Sequence, residues 1–230
     1  MPDPLDLPIP GIAATIDADA VLVASVQPLT VLSSAVVGGG LCSTRHIVNM
    51  HVAEDYDGAR PDDDLRVFAA SRGVHEPFVG LMTATWTEFA RAAVQSSNGL
   101  SVAAVVSIGL ANPECAGRTA PLIARAGTIN TILLIDAALT PAAMVNAVIT
   151  ATEAKTMTLA EWAVRTHDGL PASGTTTDSV VVACTGRGPA LEYAGPATTA
   201  GWLIARSVRD AMALICRQKI ERDGGRRIGW

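Results

Sequence analysis

The chain is patterned as short, nearly unbroken apolar runs between polar segments rich in glycine and proline. Ala18–Leu41, ADAVLVASVQPLTVLSSAVVGGGL, predicts two β segments around Gln27–Pro28, closed by Gly38, Gly39 and Gly40. RHIVNMHV (Arg45–Val52) predicts a further short strand. SVAAVVSIGL (Ser101–Leu110), GTINTILLID (Gly127–Asp136) and SVVVAC (Ser179–Cys184) predict buried strands. None of these alternates cleanly, as is expected where both faces of a strand are covered. YDGARPDDDLRVFAASRG (Tyr56–Gly73) reads as a surface loop running into a helix, and ATWTEFARAAVQSS (Ala84–Ser97) as a helix. Thr140–Pro141 opens a long helix that reaches about Trp162: threonine supplies the capping oxygen, and proline fits the first turn, where its missing N–H has no partner anyway. THDGLPASGTTTD (Thr166–Asp178) is a loop, and AGWLIARSVRDAMALICRQ (Ala200–Gln218) the last helix. Neither a repeat nor a boundary divides the chain. The expected fold is α/β or α+β: a single layered domain over 1–230 with largely buried strands and covering helices, a short Pro-rich N-terminal segment and a polar C-terminal tail.

Composition narrows the classes. With 230 residues, 49% of them hydrophobic and 17% charged, the chain can bury a substantial core. The net charge of −5, with no basic stripe, argues against nucleic acid. Cys42, Cys115, Cys184 and Cys216 are scattered without a CxxC, and MPDPLDLPIP is no signal peptide, so reduced thiols and a cytoplasmic location are expected. Ala92–Pro113 carries no charge, but Gln95–Gly99 interrupt it, and the remainder is far shorter than the ~20 apolar residues of a span. A strand is expected there, and no membrane. A homo-oligomer is compatible with all of this.

Candidate chemistry begins on the long helix. Asn146, Thr150, Glu153 and Met157 form one stripe at helical spacing, beside the apolar Met144, Val145, Val148 and Ile149. Glu153 reads either as a hydrogen-bonded rim carboxylate or as a partly desolvated acid suited to general-base work. Lys155 stands roughly 200° round the helix from it, so the two share no face. In SGTTTDSVVVAC, three threonines and Asp178 precede a strand; they form an ordinary turn or hold an oxygen-rich ligand. The three glycines at 38–40 lack both a GxGxxG register and a phosphate-loop lysine. His46 and His51, five apart, fit neither the helical nor the strand spacing of a metal pair, and no metal site is expected. The absence of GxSxG excludes an elbow-type serine hydrolase.

Together, LSSAVVGGGL, HIVNMHV, VGLMTATWTEFA, AGTINTILLIDAALTPAAMVNAVITATEAKT, ASGTTTDSVVVACTG and YAGPATTAG, in order from about Leu32 to Gly201, resemble the adenosylcobinamide amidohydrolase (CbiZ) family. Ser173 stands where the family pattern has threonine, which keeps a hydroxyl. The resemblance implies hydrolysis of the amide between the corrin ring's side chain and its aminopropanol arm, giving adenosylcobyric acid for corrinoid salvage. The corrinoid would be substrate, and no separate cofactor is implied. Residue chemistry then suggests Glu153 as base, with Asp178 and Lys155 as polar partners or proton donors. Asn49, Asn130 and the amides near Gly38, Gly39 and Gly40 would hold amide oxygens. Ser34, Thr128, Asn146, Thr150, Thr175 and Thr177 complete the expected substrate contacts. Two alternatives stay open: a corrinoid-binding protein without hydrolysis, and an amidase whose threonine nucleophile is freed by self-cleavage at Gly127–Thr128 or Gly174–Thr175.

Overall fold

A computed structural model of the protein describes residues 2–120 and 128–222. Its elements are β1 (Asp3–Leu5), β2 (Ile12–Ile16), β3 (Ala20–Ser33), β4 (Gly40–His51), α1 (Pro61–Ser71), β5 (Phe78–Thr83), β6 (Arg91–Ser97), β7 (Leu100–Ile108), β8 (Pro113–Glu114), β9 (Ile129–Ile135), β10 (Ala138–Leu139), α2 (Pro141–Glu161), β11 (Gly174–Thr175), β12 (Ser179–Cys184), β13 (Ala190–Leu191) and α3 (Thr199–Arg222). The principal sheet runs β1-β2-β3-β12-β9-β7-β6, and β4 pairs with both β3 and β5. It is a mixed α/β domain, as the apolar runs predict.

The sheet curls on itself. Alternate residues of nearly every strand, among them Val23, Ile47, Leu81, Val105, Ile132 and Val181, meet in one interior core. The opposite faces of β7, β9 and β12 are covered by α2 and α3. Helix α1 covers β4 and β5 from the other side through Leu65 and Ala69. Every residue of β9 is therefore buried, with Ile132 and Leu134 turned inward and Leu133 and Ile135 turned to the helices. This double burial is why its sequence shows no alternation.

Strands β9 and β12 are parallel neighbours, and α2 is the crossover between them. The lengths fix what happens next. From Pro141 to Lys155 a helix climbs about 21 Å. From Ile135 back to Ile129 a strand covers about 20 Å. Lys155 thus returns to the level at which β9 begins and at which Asp178 leads into β12. Thr140 caps the helix as expected, accepting from the Ala143 N–H at 3.2 Å.

Several expectations change. Ala84–Ser97 is not a helix: a single 3₁₀ turn, Thr87–Phe89, precedes strand β6, which pairs antiparallel with β7. The connecting residues Asn98 (φ 51°) and Gly99 (φ 79°) take the left-handed backbone that a two-residue hairpin turn demands, so Asn-Gly was the deciding signal. The two β segments around Gln27–Pro28 are one long strand, with a register irregularity against β4 between Ala24 and Leu29. RHIVNMHV is the second part of the longer β4, and β1, β2 and β5 were not anticipated. The core face of α2 is also rotated. Its buried residues are chiefly Ala143, Met144, Ala147, Ala151 and Ala154, whereas Val145 and Ile149 are exposed. Small side chains let the helix approach α3 and the sheet closely, and that contact wins over bulk. Gly127 and the tail beyond Arg222 lie outside the described residues.

The α1 side is tied to the β2–β3 turn by charge. Arg72 donates to Asp17 (2.8 Å) and to Asp19 (2.7 Å). Burial pushes the Asp17 carboxyl up. The Arg72 hydrogen bond, the Ala20 and Asp19 N–H groups and the guanidinium charge outweigh it, and the carboxyl titrates below its ordinary value. A depressed folded-state value adds stability above the unfolded value and loses it as pH falls through the folded one. Asp17→Asn is expected to lower the urea midpoint at pH 7, and the gap from wild type should close as pH is taken below the ordinary carboxylate range.

Candidate active site

At the end of the sheet where β9 and β12 begin, Asp178 gathers four donors. Its Oδ1 accepts from the Ile129 N–H (3.1 Å), the Thr175 N–H (3.1 Å) and the Thr175 hydroxyl (2.5 Å), and its Oδ2 accepts from Lys155. Lys155 is 8% exposed, and its ion pair with Asp178 lies between α2 and the strand ends. A buried charge needs such a partner. The pair occupies the space above Gly174, where a Cβ would overlap Asp178 Oδ2 and stand 2.7 Å from Lys155 Nζ. The glycine in SGTTTD is therefore a steric requirement of the ion pair.

Neighbouring contacts hold this loop down. Ser173 N–H donates to Glu114 O (2.8 Å), β11 pairs with β8, and the Thr156 hydroxyl of α2 donates to Ser173 O (2.9 Å). The Thr128 hydroxyl donates to Thr177 O (2.7 Å), with Asn130 Oδ1 at 3.3 Å. On the inward face, Asn130 Nδ2 donates both to Asn49 Oδ1 (2.8 Å) and to Met82 O (2.9 Å). Asn49 Nδ2 then donates to Ser107 Oγ (3.1 Å). Both asparagines are 2% exposed. They form a clasp that joins β4 and β5 to β7 and β9.

A cleft of about 440 Å³ opens beside the ion pair. Leu32, Ile129, Val145 and Val148 supply apolar walls; Ser34, Thr131 and Thr152 supply hydroxyls; Lys155 and Asp178 supply charge. Ser34 is fixed to β12, its hydroxyl accepting from Val180 N–H and its own N–H donating to Val180 O, each at 3.1 Å. An ammonium has three donors, and Asp178 engages one. A fixed positive charge at the end of a largely apolar cleft is suited to stabilising an oxyanion.

The structure brings together Lys155, Asp178, Thr128, Thr175, Thr177 and Ser34. It separates others. Glu153 is exposed on α2, turned away from the sheet, and lacks the apolar surroundings on which a role as base rested. Of the two residues 200° apart, Lys155 is the buried one that lines the cleft. Thr150 is buried but donates to Ala194 O (2.9 Å), toward the start of α3, and the half-buried Asn146 does not line the cleft. Asn130 has spent both N–H donors inside the protein, so it holds the fold together instead of offering them to an amide oxygen. Of the three glycines, Gly38 and Gly39 are explained by crowding. A Cβ on either would stand 2.6 Å from a backbone oxygen, Phe78 O or Ala35 O.

The sequence weighs His51 only as half of a metal pair, and the structure gives it other partners. His51 follows Asn49 by two residues on β4 and so shares its inward side. Its ring stacks on Trp86 (centroids 4.3 Å apart, planes at 23°), and its Nδ1 lies 3.2 Å from Thr85 O. The i,i+2 relation of Asn49 and His51 in HIVNMHV is what marks that shared side in the sequence.

The adenosylcobinamide amidohydrolase (CbiZ) family profile matches residues 10–223. The adenosylcobinamide amidohydrolase of Methanosarcina mazei is 32% identical over 181 residues, covering 75% of this chain and 82% of the relative. That of Halobacterium salinarum is 40% identical over 118 residues, 48% of each chain.

The ion pair generates two stability predictions. Lys155→Met and Asp178→Asn should each cost about 3 kcal/mol, because each leaves a buried polar partner uncompensated, and the double variant should cost less than their sum. Urea unfolding of the four proteins measures this coupling. Gly174→Ala should fold, since the glycine backbone is not left-handed, yet evict the pair and abolish that coupling; a full coupling energy in the Gly174→Ala background would show that the glycine is dispensable.

Proposed function

The chain belongs to the adenosylcobinamide amidohydrolase (CbiZ) family, and from that premise we propose that it hydrolyses the amide joining the aminopropanol arm of adenosylcobinamide to the corrin side chain. Water adds to the amide carbonyl, the C–N bond breaks, and adenosylcobyric acid and aminopropanol leave, the former available for corrinoid salvage. The observation that carries the reading is convergence: the long GTIN–ATEAK segment and the SGTTTD segment meet in the Lys155–Asp178 pair at the end of one cleft. The cleft suits a flexible arm, and the wide ring would rest outside it.

In this reading Lys155 stabilises the oxyanion that forms as water adds. Asp178 sets its position, and the Thr175 and Ile129 donors set that of Asp178. Apolar walls at Val145 and Val148 take the methylene groups of the arm, while Ser34 and Thr152 face its polar atoms. No co-substrate but water is required.

Purified protein in EDTA, without nucleotide, is expected to convert adenosylcobinamide to adenosylcobyric acid. In ¹⁸O-water the product carboxyl should carry the label, read by mass spectrometry. Corrinoid binding without aminopropanol release would instead indicate a carrier, and an intact mass showing two chains would point to a threonine freed by cleavage. Lys155→Met should lower kcat by about 10²–10³-fold, the scale of a lost oxyanion donor. Glu153→Gln should stay within about twofold of wild type, as expected for an exposed position away from special features.

A further inference from the structure

The floor of the cleft carries a hydroxyl that the fold itself does not use. The helix-facing positions of β9 are Ile129, Thr131, Leu133 and Ile135, and all but Thr131 are apolar members of the core beneath α2 and α3. Thr131 is only 2% exposed, and it lines the cleft beside Lys155 and Asp178. Neighbouring hydroxyls of the wall are engaged: Thr152 donates to Val148 O (2.8 Å), Ser33 donates to Gly38 O (3.4 Å), and Ser34 accepts from Val180 N–H (3.1 Å). Among the described residues the Thr131 hydroxyl makes no hydrogen bond, yet its oxygen is not fully enclosed. What little exposure Thr131 keeps therefore includes that oxygen, at the cleft floor.

Packing does not call for this hydroxyl. Valine has nearly the same shape, suits a central strand as well, and would leave no polar group in need of a partner. A ligand in the cleft supplies the missing partner, and the strand register says which part of the ligand that is. Thr131 follows Ile129 by two residues on the same face, and the Ile129 N–H holds Asp178, the partner of Lys155. One strand repeat, about 7 Å, thus separates the level of Thr131 from that of the ion pair. Thr131 stands beside Val180 in the sheet, with Ser34 on the far side of Val180, so the hydroxyl lies on the floor between the α2 wall and the end of β3. An amide whose carbonyl oxygen meets Lys155 carries the hydroxyl of the aminopropanol arm beyond its nitrogen and two carbons, roughly 5 Å away by ordinary bond lengths. With a hydrogen bond at each end, one arm spans the interval from Lys155 to Thr131.

Resting on the hydrolytic reading above, we propose that Thr131 recognises the hydroxyl of the aminopropanol arm and is the specificity-determining residue of the cleft. A threonine hydroxyl both donates and accepts, as does the hydroxyl of the arm, so the two satisfy each other in either sense. An arm that ends in plain hydrocarbon displaces water from the floor without replacing its hydrogen bond, and the site discriminates against it. Lys155 then acts on the carbonyl that reacts, and Thr131 on the arm that leaves.

The test pairs wild type and Thr131→Val with adenosylcobinamide and with the analogue in which propylamine replaces aminopropanol. For wild type, kcat/KM should favour adenosylcobinamide by about tenfold or more, the scale of a polar group left unpaired. In Thr131→Val the two substrates should come within about threefold of each other, adenosylcobinamide losing and the analogue holding or gaining. Thr131→Ser, which keeps the hydroxyl, should keep the preference. Ligand-free Thr131→Val should melt no lower than wild type, because no bond within the protein is lost. A wild type without the preference, or a Thr131→Val variant that retains it, overturns the proposal. A Thr131→Val variant that melts well below wild type, or fails to fold, shows the hydroxyl at work inside the protein and overturns it too. Dissociation constants for both corrinoids, read by absorbance titration, distinguish the two readings. Binding without turnover removes hydrolysis, while a preference in binding that Thr131→Val abolishes still upholds recognition of the arm. Turnover with equal preference in both proteins keeps hydrolysis and removes the role of Thr131.

Discussion

Lys155 meets Asp178 in the space that a side chain at position 174 would fill, and the neighbourhood of the cleft is organised around that meeting. The lysine belongs to α2, the aspartate leads into β12, and the amide that helps hold the aspartate opens β9. A single carboxylate therefore registers a helix against two parallel strands. An isolated charge of either sign would be costly between these layers; together, and with the Thr175 donors, they are tolerated. The same contacts that make burial acceptable also hold the ammonium at the cleft wall, so stability and the proposed chemistry would draw on one arrangement.

The asparagine clasp does complementary work on the inward side. Curling a sheet until β5 faces β9 leaves polar edges close to an apolar interior. Asn130 answers by donating to both Asn49 and Met82 O, and Ser107 accepts the next donor in line. Buried amides of this kind specify one alignment, because a register slip would strand several donors at once. Thr128, just ahead of β9, stands between clasp and ion pair: its hydroxyl lies near Asn130 Oδ1 and donates to Thr177 O, next in chain to Asp178.

Much of the scaffold was legible from residue order. The buried strands at Ser101–Leu110, Gly127–Asp136 and Ser179–Cys184 announced themselves as apolar runs without alternation, and Thr140–Pro141 marked the helix start. The segment at Ala84–Ser97 misled because Ala-rich stretches suit a helix locally; only the Asn98–Gly99 turn, which lies just beyond it, dictates the hairpin. Beside the cleft, Asp178 and Thr175 were marked in the sequence by their place in a polar turn just ahead of an apolar strand. The rotation of α2 was not. Periodicity gives the angle between Glu153 and Lys155, but which of them faces the sheet depends on how closely the alanines pack, a tertiary fact. The contacts of His51 were hidden for a similar reason: Thr85 and Trp86 are remote in sequence and adjacent only once β5 lies beside β4.

The alanine face of α2 has a consequence for substitution. Ala143, Ala147, Ala151 and Ala154 set the spacing of the helix from its neighbours, whereas Val145, Val148 and Thr152 border the cleft. Residues of the first group touch the core and are constrained by it; Val145 and Thr152 of the second are exposed and owe little to packing. Along this one helix the positions that set the packing and those that border the cleft are interleaved, with Ala151 and Val148 belonging to both. If the cleft takes the substrate arm as proposed, substitutions at the exposed Val145 and Thr152 would change what it accommodates while leaving the layer beneath unchanged, because exposed positions cost little stability.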